Sequence, residues 1–101
     1  MLHDKDVNEF KEITSKGVVL VDFFATWCGP CRMLSPILEE VEEEKSFKGT
    51  IAKVDTDELG QIAMTFGIQS IPTLILFKDG QPVKKSMGYM AKDELLNFLN
   101  N

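Results

Sequence analysis

A chain of 101 residues that is 44% hydrophobic has material for one buried core, so 1–101 is expected to fold as a single domain rather than stay disordered. Its formal charge of −5 argues against a nucleic-acid or anionic-membrane partner, which would call for clustered Lys and Arg; separately, a monomer is expected. Residues 1–6 carry no basic flank and no apolar segment, which argues against a signal peptide or membrane helix and makes the cytoplasm the expected location.

Asp6 and Glu9 have the spacing of a capping box, and Val7, Phe10 and Ile13 recur at helical spacing. A helix over about 6–15 is predicted, and any strand ahead of it must be very short. His3 reads as a solvated residue near the chain end. Val18–Phe24 is an apolar run broken only by Asp22, the pattern of a central strand covered on both faces. An acid inside such a strand is costly unless a partner or a function requires it.

From Pro30 the apolar positions switch to helical spacing. Met33, Leu34, Ile37, Leu38 and Val41 form one stripe, while Glu39, Glu40, Glu42, Glu43 and Glu44 lie largely outside it as a solvated face. Pro36 falls inside this helix and removes one backbone hydrogen bond, so a kink is expected there.

Thr50–Asp55 reads as the next strand, with Lys53 the charge in its apolar context. Asp55, Thr56 and Asp57 offer helix-start chemistry, and Leu59, Ile62, Ala63 and Phe66 form a short stripe ending at Gly67. Thr73–Lys78 is a strong strand pattern followed by the turn pair Asp79-Gly80. Residues 82–87 should return antiparallel as an edge strand, where Lys84 and Lys85 are tolerated. Leu95, Leu96, Phe98 and Leu99 place a last helix at 92–99, with no Ser, Thr, Asp or Asn to cap it ahead of Lys92.

Strands joined through helices should pair in parallel with right-handed crossovers. The expected class is therefore α/β, a mixed central sheet with helices on both faces. Cys28 falls at the carboxyl end of a strand, where such sheets carry their active loops.

The chain holds two cysteines, Cys28 and Cys31, separated by Gly29 and Pro30. A closed zinc site wants four ligands, and only the distant His3 could join the two sulfurs, so metal is the weaker reading. A disulfide spanning so short a loop gains only about 2 kcal/mol by the loop-entropy model. It is a poor staple but a usable exchangeable bond. The unpaired N–H groups and dipole of a helix start favour a thiolate. Cys28, at the turn, is expected to be the exposed attacking thiolate, and Cys31, one turn further and buried, the resolving thiol. Gly29 allows the tight turn, and Pro30 presets a helical φ where no N–H is needed.

Trp27-Cys28-Gly29-Pro30-Cys31 with the preceding Val21-Asp22-Phe23, then Ile71-Pro72-Thr73 and the hairpin Phe77-Lys78-Asp79-Gly80, closely resembles the thioredoxin family across essentially the whole chain. That resemblance implies a thioredoxin fold of about five strands, the first very short, and four helices. It also implies a general protein disulfide reductase acting on disulfide-containing proteins and recycled by a thioredoxin reductase. The redox group would be the Cys28–Cys31 pair itself; no cofactor or metal is implied on this chain, NADPH and flavin belonging to the reductase.

By the same resemblance Asp22 is the buried carboxylate that helps deprotonate the resolving thiol, and Lys53 the lysine that tunes it. Pro72 matches a cis-proline beside the active loop, with Ile71 offering backbone hydrogen bonds to an extended substrate. Trp27, Gly67, Ile68 and Gly88 match an apolar collar around the thiols. The chain departs from the family at Phe24, where a second tryptophan is usual. Two other functions fit the same motif: a redox-independent binding subunit, and a disulfide oxidant or isomerase.

Overall fold

The computed structural model describes residues 2–3, by their backbone, and 7–101 in full. The elements are β1 (Leu2–His3), α1 (Val7–Thr14), β2 (Val18–Phe24), α2 (Gly29–Glu44), β3 (Thr50–Asp55), α3 (Gly60–Thr65), β4 (Thr73–Lys78), β5 (Gln81–Met87) and α4 (Lys92–Asn100). The five strands form one sheet in the order β1-β3-β2-β4-β5. The apolar run Val18–Phe24 is its middle strand, parallel to β3 and antiparallel to β4.

Side chains alternate across this sheet because successive Cβ atoms point to opposite faces. Val19, Val21 and Phe23 of β2 join Phe10, Val54, Ile62 and Phe77 in the core beneath α1 and α3. Phe10, Phe23, Phe66 and Phe77 form its aromatic centre, with ring centroids 5.5–6.5 Å apart. Leu20 of β2 joins Leu34, Leu38, Ile51, Leu74, Leu95 and Leu99 in the core beneath α2 and α4. Asp22 and Phe24 share the parity of Leu20, so their side chains leave the sheet on the α2 side.

One pairing expectation is overturned. β3 and β4 are joined through a helix, yet β4 is not parallel to β3; it inserts beside β2 and runs the other way. A parallel crossover must carry the chain back along a strand of about 20 Å. The sixteen residues of α2 span about 24 Å and can do so, whereas the six of α3 span about 9 Å. β4 therefore starts at the sheet edge where β3 stopped, with Thr73 opposite Phe23. This reversal brings 71–72 back to the end of β2 that carries the cysteines.

Other boundaries differ in detail. The expected capping box at Asp6 lies outside the described residues, as does the side chain of His3. β1 is as short as expected and pairs in parallel with β3 through Leu2 and His3. Asp55, Thr56 and Asp57 do not start α3: Asp55 Oδ1 accepts the Asp57 N–H at 2.9 Å, and Thr56 Oγ1 donates to the Phe24 carbonyl at 3.2 Å. These bonds close a turn, and α3 begins only at Gly60. α2 continues unbroken through Pro36. α4 starts after Ala91, whose N–H donates to Glu94 Oε1 at 3.3 Å, half of a capping box from a residue that has no capping side chain.

Candidate active site

Beyond Phe24 the chain turns through 25–28 and enters α2 at Gly29, leaving Cys28 as the N-cap. The turn is closed by the Cys28 N–H donating to the Ala25 carbonyl at 3.2 Å. Cys28 Sγ then takes the part of a capping side chain, accepting the Cys31 N–H at 3.2 Å. Pro30 occupies the first turn, where its missing N–H costs nothing. Cys28 and Cys31 are joined as a disulfide, with Cα atoms 5.2 Å apart.

Both cysteines are enclosed in this oxidised state, Cys28 at 4% and Cys31 at 3% exposure. The expectation of an exposed Cys28 is corrected accordingly. Cys28 packs with Ala25, Phe24 and Ile71, and its sulfur lies 3.8 Å from the Ile71 carbonyl oxygen.

On β2, ahead of the cysteine turn, Asp22 is wholly buried, and neither of its oxygens has a hydrogen-bond partner among the described residues. Burial raises its pKa from 3.8 to about 6; the positive charge of Lys53 opposes that rise without cancelling it. Lys53 is the register partner of Asp22 on β3, so the two side chains leave the sheet on the same face. Its ammonium donates to Ser35 Oγ at 3.0 Å and lies 4.4 Å from the centroid of the Phe24 ring. A cleft of about 220 Å³ lined by Phe24, Cys31, Arg32, Ser35 and Lys53 opens beside this group.

The Ile71–Pro72 peptide is cis. Gly88 adopts a left-handed φ of 94° and donates its N–H to the Pro72 carbonyl at 2.8 Å, which sets it beside that proline. Trp27, Ile68 and Ile71 line a second cleft of about 210 Å³ on the other side of the disulfide. Trp27 is 66% exposed there, its indole N–H donating to Asp57 Oδ2 at 2.8 Å. Gly67 ends α3, its N–H donating to the Met64 carbonyl at 3.1 Å, and does not line that cleft. A larger cleft of about 360 Å³ lies between α1 and α3, on the opposite face of the sheet, but neither sulfur nor carboxylate lines it.

The fold thus gathers Cys28, Gly29, Pro30, Cys31, Asp22, Lys53, Trp27, Ile68, Ile71, Pro72 and Gly88 around one end of the sheet. Sequence reasoning missed Ser35 and Asp57. Ser35 could have been found from its spacing, four residues after Cys31 on the same helix face. Asp57 gave no such signal, since a turn rather than a regular element carries it to Trp27. Among the described residues no group of three or more His, Cys, Asp or Glu side chains could hold a metal ion, and no helix is long and apolar enough to cross a membrane.

Comparison with known proteins places this geometry in context. The family model described as thioredoxin matches residues 2–101. The thioredoxin of Listeria monocytogenes is 50% identical over 91 residues, covering 90% of this chain and 88% of its own length. That of Bacillus subtilis is 47% identical over 91 residues, with the same coverage of 90% and 88%. Among solved structures, a mutant thioredoxin from Halobacterium salinarum superposes with a TM-score of 0.90 at 38% identity, over 97% of this chain and 86% of the other. The thioredoxin of Plasmodium falciparum gives 0.89 at 32% identity, covering 98% and 96%.

Proposed function

This chain belongs to the thioredoxin family, and from that premise we propose that it is a general protein disulfide reductase in which Cys28 attacks and Cys31 resolves. One observation carries the assignment of roles: the Cys28–Cys31 disulfide spans the first turn of α2, with the Cys31 N–H on Cys28 Sγ. In the reduced protein that N–H and the start of the helix favour negative charge on Cys28.

The Cys28 thiolate attacks one sulfur of a substrate disulfide. A bond forms between them, the substrate's own S–S bond breaks, and its second sulfur leaves as a thiolate that takes a proton from water. Cys31 then loses its proton to the Asp22 carboxylate and attacks Cys28 Sγ. The mixed disulfide breaks, the substrate departs with the electron pair, and the Cys28–Cys31 disulfide is left oxidised. Asp22 suits this step because its raised pKa of about 6 lies near neutrality, where a group can both accept and release a proton.

Ile71 and Pro72, with Trp27, Ile68 and Gly88, would seat an extended substrate segment, which would pair with the loop ahead of β4 by backbone hydrogen bonds. Gly67 would keep the margin open, its φ of 64° being a conformation that side chains disfavour. The chain would work as a monomer in the cytoplasm, re-reduced by a flavoprotein thioredoxin reductase drawing on NADPH. The presence of only two cysteines, both in the exchangeable pair, supports a compartment that keeps thiols reduced.

The test is insulin-disulfide reduction with dithiothreitol as electron source. Wild-type protein should accelerate precipitation, and a wild-type rate no faster than that of Cys28→Ser would sink the reading.

A further inference from the structure

Asp22, with its buried carboxyl, and Lys53 are register partners on neighbouring strands, which run about 4.8 Å apart in a sheet. A partly desolvated Asp and Lys at that spacing ordinarily close into an ion pair. Here they do not: both Asp22 oxygens lack a partner among the described residues, while Lys53 Nζ donates to Ser35 Oγ at 3.0 Å and lies 4.4 Å from the Phe24 ring centroid. Other elements border the pair. β4 places Leu74 opposite Asp22, and β3 ends in Asp55, which is engaged by the Asp57 N–H. α2 contributes Cys31 and the cation Arg32 to the adjoining cleft.

We propose that Ser35 is a positioning residue for the thiol–disulfide step: its hydroxyl accepts from Lys53 and holds the ammonium over Phe24, off the Asp22 carboxylate. The inference rests on the reductase reading for its purpose, but the geometry it describes is independent of that reading. Ser35 achieves this from α2, one turn beyond Cys31, so the helix that carries the resolving thiol also holds the cation that would otherwise quench its proton acceptor. Without the hydroxyl, the Lys53 ammonium loses its hydrogen bond, and its register partner Asp22 is an anionic acceptor on the same face of the sheet. An ion pair there favours the charged carboxylate and weakens it as a base.

The experiment is an NMR titration of the Asp22 carboxyl carbon in the oxidised protein, where neither cysteine titrates. In Ser35→Ala the midpoint should fall by about one pH unit, a tenfold loss of proton affinity. Ser35→Thr, which keeps the hydroxyl, should stay at the wild-type midpoint. In a Lys53→Met background, adding Ser35→Ala should move nothing. An unchanged or higher midpoint in Ser35→Ala, a shift shared by Ser35→Thr, or a shift that survives without Lys53 would each overturn the proposal. The readout is an equilibrium in the oxidised protein, so it stands or falls separately from insulin turnover, which tests the reductase reading.

Discussion

Asp22 and Lys53 are register partners on adjacent parallel strands, yet the lysine donates to Ser35 and neither carboxylate oxygen has a hydrogen bond among the described residues. A buried acid kept unpartnered beside a cation is held away from its most stable arrangement. That cost is borne by the rest of the fold, through the apolar layers of Leu20, Leu38 and Leu74 above and the aromatic cluster below.

Replacing Asp22 by Asn should therefore stabilise the protein in a pH-dependent way. The folded value, about 6, lies above the ordinary 3.8, so between these the folded protein holds a proton that the unfolded chain releases. Wild-type stability consequently falls as pH rises through this window, and the whole penalty stands above it. At about 1.4 kcal/mol per unit, the charged form is disfavoured by about 3 kcal/mol. The buried amide has its own desolvation cost, so Asp22→Asn should be roughly 1–3 kcal/mol more stable at pH 7, with the advantage gone below about pH 4. Urea melts at both pH values check this. Resolution of a mixed disulfide should at the same time slow by about tenfold or more near neutrality, in stopped-flow measurements.

How far such relationships were legible in the sequence depends on their physical origin. The sheet, its two faces and the cysteine turn follow from local patterns: the continuous apolar run of β2, the stripe of α2, and Pro30 in its first turn. The antiparallel entry of β4 was not legible, because it turns on how little of 56–72 becomes helix, and Asp55 and Asp57 look like caps until Thr56 bonds to Phe24. Asp22 and Lys53 stood out as charges in apolar strands. That Lys53 would prefer Ser35 to Asp22 was hidden, since it requires the rotation of α2 over β3.

The order of attack makes a trapping prediction. Cys31→Ser protein should accumulate a mixed disulfide through Cys28 when mixed with an oxidised substrate protein, because the resolving sulfur is gone. Cys28→Ser should accumulate far less, its remaining thiol lying inside α2 and not at the N-cap, where the helix start favours a thiolate. Non-reducing gels with mass analysis of the joined cysteine distinguish the two. Equal trapping by both variants would reverse the assigned roles.

At the far side of the molecule Lys92 ties α4 to α2, its ammonium 2.8 Å from Glu40 Oε1 and 2.7 Å from Glu44 Oε1. Hydrogen bonding from Lys92 lowers the Glu44 pKa, so this contribution is present above the ordinary carboxylate range and is lost as pH falls through the lowered value. The cluster is solvent-exposed and screened. Lys92→Ala should lower the melting temperature slightly in dilute buffer, and the difference should disappear in about 1 M salt. A difference that persists in salt would mean that the lysine stem, not its charge, holds α4.

Trp27 is the only tryptophan of the chain, so its fluorescence reports one place beside the disulfide. Its indole N–H is fixed by Asp57 although the ring is two-thirds exposed, which orients the ring along the cleft shared with Ile68 and Ile71. Asp57→Ala should free that ring. An exposed hydrogen bond of this kind contributes about 1 kcal/mol or less, so global stability should barely change. Steady-state anisotropy of Trp27 should fall, and KM for a protein disulfide should rise about two- to fivefold while kcat is kept, because the loss lies in seating the substrate and not in sulfur chemistry. A kcat that falls with KM unchanged would instead assign Asp57 to the exchange step itself, through the turn that connects Trp27 to Cys28.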